Sequence, residues 1–292
     1  MGTTWAEACG QAQRLVRHIP LQSGQWIFVA RMSLATALIY SRTMANSPSG
    51  DSMLDRLVRI LDSFDSENQS LSVIALARRA EIPKATMYRL LDELVGHDLL
   101  ARNKDGQVRL GLRLWELANR STTTQDLRKA ALPFMEDINQ LLGQNTQLSM
   151  LHQDEVLIIE RLSRPGSVVN KANVAGRMPV HSTSMGMALL AFSRPEVIHE
   201  FLTRHQEIME STHPNFRAEM AEIRRNGYAS FDGYIDSETT GAAAPILDSS
   251  GYQVAVLSVV VPRDSSSLQP AAMALRTAVR GISRALLLTN NA

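Results

Sequence analysis

The stretch LARRAEIPKATMYRLLDEL, residues 76–94, decides the fold of the N-terminal half of this 292-residue chain. Glu81-Ile82-Pro83 interrupts one apolar helical pattern, and Pro83 suits the first turn of a new helix, where a missing N–H costs nothing. From Lys84 to Gly96, a period of 3.6 residues gathers the apolar side chains on one side. The other side is small, hydroxylated and basic, as the major groove of DNA requires of a recognition helix. Ala85, Arg89 and Asp92 face this way, with Thr86 and Tyr88 beside them.

Two helices are predicted before this one. Met53 to Phe64 has an apolar stripe behind a cap at Ser52, and Leu71 to Ala80 turns four apolar residues inward. Leu99 to Leu112 reads as two short strands joined by Lys104-Asp105-Gly106, and Asp-Gly favours a hairpin turn with positive φ at both central positions. Residues 51–114 are therefore predicted to be a winged helix-turn-helix domain.

The predicted module has a local excess of positive charge. From Arg78 to Arg113 there are eight basic and five acidic residues, whereas the whole chain has 30 Lys and Arg against 29 Asp and Glu. We expect the wing to hold phosphates and the recognition helix to contact base edges of double-stranded promoter DNA. A winged helix used only for assembly is the alternative. The predicted DNA-binding residues are Ser72, Lys84, Ala85, Thr86, Tyr88, Arg89, Arg102, Lys104 and Arg109.

Composition limits the class of protein. Hydrophobic residues make up 45% and charged residues 20%, which excludes disordered and collagen-like chains. A single cysteine, Cys9, excludes an internal disulfide framework and a cysteine-rich zinc site, so a cytoplasmic location is the default. No Walker loop or Rossmann glycine pattern is present, and we expect no cofactor.

Residues 1–50 are patterned differently. Trp26 to Tyr40 is apolar, but Arg31 interrupts it and its 15 residues are too few to span a bilayer, so no membrane association is expected. We interpret residues 1–50 as an extension outside the folded unit, with the true start at Met44 or Met53. A membrane-surface or partner-binding arm is the alternative.

A connecting helix is predicted within residues 115–143. Thr123 to Leu142 places Leu127, Ala131, Phe134, Ile138 and Leu141 on one stripe, which fits a helix packed against its sister helix in a homodimer. An ordinary core helix is the alternative. Pro133 is expected to kink this helix or to end a preceding one.

Strand and helix patterns are mixed in residues 144–292, which predicts an α+β domain. The strand candidates are Gln147 to His152, Val156 to Leu162, Val168 to Ala172, Gly176 to Val180, Tyr228 to Asp232, Ala242 to Ile246 and Tyr252 to Val261. Ser182, Thr183 and Ser184 offer caps to a helix, whose free N–H groups could hold a carboxylate. Further helices are predicted over Ala218 to Asn226 and Pro270 to Leu287.

No enzymatic site is predicted. His181 lies beside Ser182 to Ser184, but adjacent residues rarely converge on one atom, and no nucleophile elbow is present. His152, Asp154, Glu155 and Glu160 fit no tight metal site and are interpreted as a solvated hairpin rim. A small-molecule-binding or enzymatic α+β domain with an assembly-only winged helix stays open as the alternative.

From Met53 to the C-terminus the chain resembles the IclR family of bacterial transcriptional regulators. The resemblance rests on residues 76–94 and 97–118, then on GRMPVHSTSMGMALLAF (176–192), GYASFDGY (227–234) and GAAAPILDSSGYQVAVLSV (241–259). It implies a winged helix, a connecting helix and a GAF-like α/β effector-binding domain. It also implies a dimer or tetramer that binds palindromic operators and responds to a small catabolic metabolite.

The resemblance implies which residues contact the effector. They are Ser184, Met185, Gly186, Phe231, Asp232, Tyr234, Gly241, Ser258 and Val260. Relatives that sense small acids often have polar or acidic residues at several of these positions. Phe231, Tyr234 and Val260 make this pocket more apolar, which favours a larger effector, an aromatic or sugar-derived acid.

Overall fold

A computed structural model describes residues 52–65, 67–120, 122–168, 172–233, 236–264 and 266–289. The predictions made for residues 1–50, and the assignment of Tyr234 to the effector site, lie outside these residues. Within them, no helix is both long enough and apolar enough to cross a membrane.

The first described unit is a winged helix-turn-helix. Helices α1 (Met53–Asp62), α2 (Val73–Arg79) and α3 (Lys84–Gly96) precede strands β1 (Leu100–Arg102) and β2 (Val108–Leu110). A capping box between Ser52 and Asp55 starts α1. The backbone of Leu71 pairs with Val108, which ties the turn before α2 to the wing. Its core includes Ile60, Leu76, Met87, Leu91 and Leu100.

The wing turn differs from the predicted one. Five residues, Asn103 to Gln107, connect the strands, and among them only Gly106 has positive φ, at 73°. The side-chain oxygen of Asn103 accepts hydrogen bonds from the backbone N–H groups of Asp105 and Gln107. This polar cap replaces the two-residue Asp-Gly turn, whose first central residue would also need positive φ.

The connector is two helices, α4 (Leu112–Ala118) and α5 (Thr122–Leu142). The prediction that the α5 stripe packs against a sister helix is wrong, because Leu127, Ala131 and Ile138 lie in the core of the same chain. Leu141 was assigned to this stripe but is 73% exposed. Pro133 lies inside α5 on the exposed side of the helix and does not end it. Because proline has no N–H, the backbone carbonyl one turn earlier loses its hydrogen bond, but on this side water can hydrate that carbonyl.

The remaining strands form one antiparallel sheet in the order β5-β4-β3-β8-β7-β6. They are β3 (Asn145–His152), β4 (Glu155–Leu162), β5 (Arg177–Pro179), β6 (Ala229–Asp232), β7 (Thr239–Leu247) and β8 (Gln253–Pro262). Val168 and Ala172, predicted to begin and end a strand, lie in none.

Helices cover both faces of the sheet. They are α6 (Ser184–Ala191), α7 (Pro195–Arg204), α8 (Gln206–Thr212), α9 (Phe216–Asn226) and α10 (Leu268–Thr289). Helices α5 and α10 pack on one face around Leu148 and Leu257. Helices α6, α7 and α9 cover the other, which we call the α6 face, around Ile158 and Val256. Gly227 ends α9 in the left-handed conformation, with φ of 75°.

Candidate DNA-binding surface and effector site

Helix α3 presents a polar surface whose N-terminal end is open. Burial of Met87, Leu90, Leu91 and Leu94 fixes its orientation, and Lys84, Ala85, Tyr88 and Arg89 are exposed as a result. Thr86 is half-buried. No side chain caps the helix at Pro83, so the first N–H groups of α3 are free of a side-chain partner and can donate hydrogen bonds to a phosphate oxygen.

Two arginines of this surface are engaged by carboxylates of α3. Arg89 Nη1 lies 2.9 Å from Glu93 Oε1, one turn along the helix. Arg102 Nη2 of the wing lies 2.9 Å from Asp92 Oδ1. Both pairs are exposed to solvent, and such pairs contribute only about 0.2–1 kcal/mol. An incoming phosphate or guanine can therefore displace either carboxylate.

The other predicted DNA-binding residues lie in three different places. Ser72 is exposed at the start of α2, where its hydroxyl oxygen accepts from the N–H of Ala75. Lys104 is exposed in the wing turn. Arg109 alternates with Val108 and so lies on the other face of the hairpin from Arg102, where it lines a cavity of about 690 Å³ against residues 172–178. The structure therefore separates Arg109 from the α3 surface.

Residues of the predicted effector site meet on the α6 face in two cross-strand rows. Phe231, Gly241, Val260 and Asn145 are in register across β6, β7, β8 and β3. The neighbouring row contains Ala243, Ser258, Gln147 and Arg161. Sequence reasoning missed Asn145, Gln147 and Arg161, although period-2 alternation from a known core residue such as Leu148 places the first two on this face.

The N-terminal turn of α6 crosses these rows. Thr183 is the cap, and its hydroxyl accepts from the N–H of Gly186 at 3.0 Å. A Cβ on Gly241 would lie 3.0 Å from Ser184 Oγ, and Ser149 Oγ lies 3.4 Å from the sulfur of Met185. The helix start therefore spans from β7 to β3, above Ser258 and Gln147. Both of these are about as buried as the core, at 2% and 1% exposure.

Two of the predicted effector residues have other partners. Gly186 is needed for packing, because a Cβ there would lie 2.2 Å from the backbone oxygen of Val180. Asp232 follows Phe231 and so faces away from α6, where its carboxylate accepts from Thr240 Oγ1 at 2.6 Å. Strand alternation could have shown that Phe231 and Asp232 do not face the same pocket.

The buried side chain of His213 packs against the ring of Phe231. The rings of His213 and Phe231 have centroids 5.9 Å apart, and His213 is 5% exposed. Its Nδ1 lies 2.5 Å from Glu219 Oε2, and its Nε2 lies 2.7 Å from the carbonyl oxygen of His181. Burial, with the charges of His213 and His205, lowers the pKa of His181 to about 4. His213 thereby connects α9, the segment before α6 and strand β6.

The acidic residues considered as metal ligands are occupied by ion pairs. Asp154 contacts Arg204 and His205, Glu155 contacts Arg177, and Glu160 contacts Arg128. Burial alone would raise the pKa of Asp154, but the hydrogen bonds of its two partners lower it overall. In the part of the chain that the structure describes, no group of three or more His, Cys, Asp or Glu could hold a metal ion.

Known proteins share both halves of this architecture. The IclR helix-turn-helix domain matches residues 53–104, and the bacterial transcriptional regulator IclR C-terminal domain matches residues 119–284. The crystal structure of an IclR homolog complexed with 4-hydroxybenzoate, from Microbacterium hydrocarbonoxydans, is 40% identical. The match covers 81% of this chain and 100% of that one, with a TM-score of 0.73.

Curated proteins similar to this chain are also regulatory proteins. The HTH-type transcriptional regulator XynR of Escherichia coli is 24% identical over 212 residues, which cover 70% of this chain and 84% of that protein. The Pca regulon regulatory protein of Pseudomonas putida is 24% identical over 225 residues, which cover 75% and 77%. With its two domains matched in order over most of the described residues, this chain belongs to the IclR family of bacterial transcriptional regulators.

Proposed function

We propose that the protein is a homo-oligomeric regulator that binds promoter DNA through α3 and the wing and changes its DNA affinity when a small organic acid binds the α6 face. Residues 51–114 read DNA, residues 115–143 connect, and residues 144–292 bind the effector. The protein performs no catalysis of its own and acts in the cytoplasm, where its operator lies. The effector is an aromatic or sugar-derived acid.

The observation that carries the DNA-binding role is the exposed, uncapped N-terminal end of α3. Lys84 and Arg89 flank N–H groups that no side chain satisfies, so one helix end offers charge and hydrogen-bond donors together. Thr86 and Tyr88 add hydroxyl groups beside them. Lys104 and Arg102 extend the positive surface onto the wing, the latter after exchanging Asp92 for phosphate.

A second copy of the chain would cover the apolar surface that the winged helix leaves exposed. In α4, Leu112 is 69% exposed and Trp115 is 64% exposed, and in α1 Leu54 is 66% exposed. Exposed large apolar side chains are typical of protein interfaces. A dimer that buries them would present two copies of α3, as the two half-sites of a palindromic operator require.

The effector role rests on the meeting of Ser184, Met185, Phe231, Gly241, Ser258 and Val260 beneath and at the start of α6. Binding there would move α6 against the sheet, and α5 on the opposite face carries the change toward the winged helix. We expect the coupling to change operator affinity by about 1–3 kcal/mol.

Fluorescence anisotropy tests this function. The purified protein is titrated into its own upstream intergenic DNA and into a scrambled duplex at two salt concentrations, with and without candidate aromatic and sugar-derived acids. We expect tighter binding to the native duplex, weakening with salt, and a shift with one acid class. Equal, salt-independent binding to both duplexes would refute the DNA-binding role and favour a winged helix that serves assembly.

A further inference from the structure

The α6 face contains a buried hydrogen-bond donor that has no partner. Gln147 is 1% exposed, and its Nε2 makes no hydrogen bond within the described residues. Its Oε1 accepts a hydrogen bond from Ser258 Oγ at 3.3 Å, so the NH₂ end of the amide is the end left without a partner. A buried donor without an acceptor is costly, so native proteins rarely keep one without a reason.

This donor lies under the start of α6. Ser184 contacts the sheet at Gly241 of β7, and Met185 contacts it at Ser149 of β3. Gln147 is two residues from Ser149 on the same face of β3, and Ser258 lies between it and β7. The unpaired amide therefore lies close to the first turn of α6.

The surrounding charge is positive. Arg161 is the cross-strand neighbour of Gln147, and its Nε and Nη1 are held by Ser163, by the carbonyl oxygen of Ala172 and by Asn173. The nearest acid in sequence, Glu160, lies on the opposite face, where it pairs with Arg128. Among the described side chains of β3, β4, β7 and β8 that alternation places on the α6 face, none is acidic. A fixed guanidinium without a neighbouring carboxylate favours an anionic ligand.

The opposite end of the same surface is apolar. Phe231 lies at the β6 edge and packs against the ring of His213, and Val260 lies on β8, between β6 and the β3 strand of Gln147. Neighbouring strands are about 4.8 Å apart, so the four intervals from β4 to β6 separate the two ends by about 19 Å of backbone, part of which the Arg and Phe side chains fill. The sheet surface beneath α6 therefore has a polar end and an apolar end.

We infer that Gln147, hydrogen-bonded to Ser258 and next to Arg161, binds the carboxylate of an aromatic monocarboxylic acid whose ring lies toward Phe231. This inference rests on the proposed function, since it specifies the effector class and its orientation in that site. It adds Gln147 as a specificity-determining residue that the comparison with the family did not supply. The N–H groups of Ser184 and Met185 would complete the ring of donors around the carboxylate.

Isothermal titration calorimetry of the full chain tests the inference. The probes are 4-hydroxybenzoate and its uncharged methyl ester. Gln147→Glu keeps the size of the side chain but replaces the donor with a carboxylate, and Gln147→Met removes both polar atoms. Gln253→Glu is the matched control, since Gln253 lies at the far end of β8 and donates to Ser193.

We expect wild type to bind the acid more tightly than the ester. Gln147→Glu should weaken binding of the acid about 10- to 100-fold, as for loss of a hydrogen bond to a charged group, and should change ester binding much less. Gln147→Met should also weaken binding of the acid, and Gln253→Glu should leave it unchanged. Circular dichroism and the thermal midpoint check that each variant is folded.

The outcomes separate the inference from the proposed function. If wild type binds the acid and both Gln147 variants bind it equally well, the anchor is refuted and the effector site survives. Equal affinity of wild type for acid and ester also refutes the anchor. If wild type binds neither probe, both the proposed class of effector and the role of Gln147 are refuted. Operator binding measured by anisotropy tests the DNA-binding role separately.

Discussion

Replacing Arg89 with alanine should separate DNA recognition from folding. The Arg89 and Glu93 side chains are 59% and 53% exposed, so their ion pair lies in a high-dielectric environment. An i, i+4 pair of this kind stabilises a helix by about 0.3–0.5 kcal/mol, and the substitution should change the free energy of unfolding by no more. A bidentate contact of Arg89 with guanine contributes about 1–3 kcal/mol of discrimination. Operator affinity should therefore fall about 5- to 150-fold, since about 1.4 kcal/mol is a factor of ten.

Glu93→Ala provides the complementary test. It removes the carboxylate that competes for Arg89 and one negative charge facing the DNA, so operator affinity should rise. Arg217→Ala, at an exposed position in α9, is the control for Arg89→Ala: it removes a positive charge away from the winged helix and should leave affinity unchanged. Anisotropy titrations with the operator and with single-base variants measure all three. The assignment of Arg89 to base recognition fails if Arg89→Ala keeps wild-type affinity and sequence preference.

Three further predictions concern the wing, the C-terminal α+β domain and the core of that domain. Lys104→Ala should weaken binding to all sequences about equally and lower the slope of log affinity against log salt by about 0.9, measured over several salt concentrations. Burial lowers the pKa of His181 from 6.5 to about 4, so the unfolded chain binds a proton that the folded chain does not, and stability should fall as pH decreases between these values. After discounting for solvent screening the effect is about 1–2 kcal/mol, and denaturation curves for His181→Gln should show a correspondingly weaker pH dependence. Leu148→Ala in the sheet core should cost about 2–5 kcal/mol in urea unfolding, whereas Leu141→Ala, at a 73% exposed position, should cost less than about 0.5 kcal/mol.

The winged helix could be predicted from the sequence because its signals are local. The period from Met87 to Leu94 gave α3 with the bounds Lys84–Gly96 that the structure shows. The wing strands were predicted correctly, but the turn was not, because the Asn103 side chain supplies the hydrogen bonds that a two-residue turn would otherwise make. Local polar competition of this kind is invisible to a dipeptide rule.

The C-terminal half of the chain was harder to predict because its decisive contacts are non-local. The α5 stripe has a helical period whether it packs on a sister helix or on its own sheet, and only the tertiary structure places Leu127 and Ile138 against α10 and the strands. Helices α7 and α8 went unpredicted because their sequences, PEVIHEFLTR and QEIMEST, are short and only partly apolar. Gln147 was missed for a related reason. It belongs to no motif, and its significance comes from its register with Ser258 and Arg161.

The paired arginines of the DNA-binding surface bear on specificity as well as affinity. If Arg89 and Arg102 contact DNA as proposed, non-specific DNA offers them only phosphate contacts, and each of these must first displace Glu93 or Asp92. A correct operator also offers bidentate base contacts, which exceed the worth of an exposed ion pair by about a factor of two or more. Displacing the carboxylates therefore costs a larger fraction of the binding free energy for non-specific DNA than for the operator. Because specific sites compete with a vast excess of other DNA, carboxylates that weaken every complex can still increase occupancy of the operator relative to the rest of the DNA.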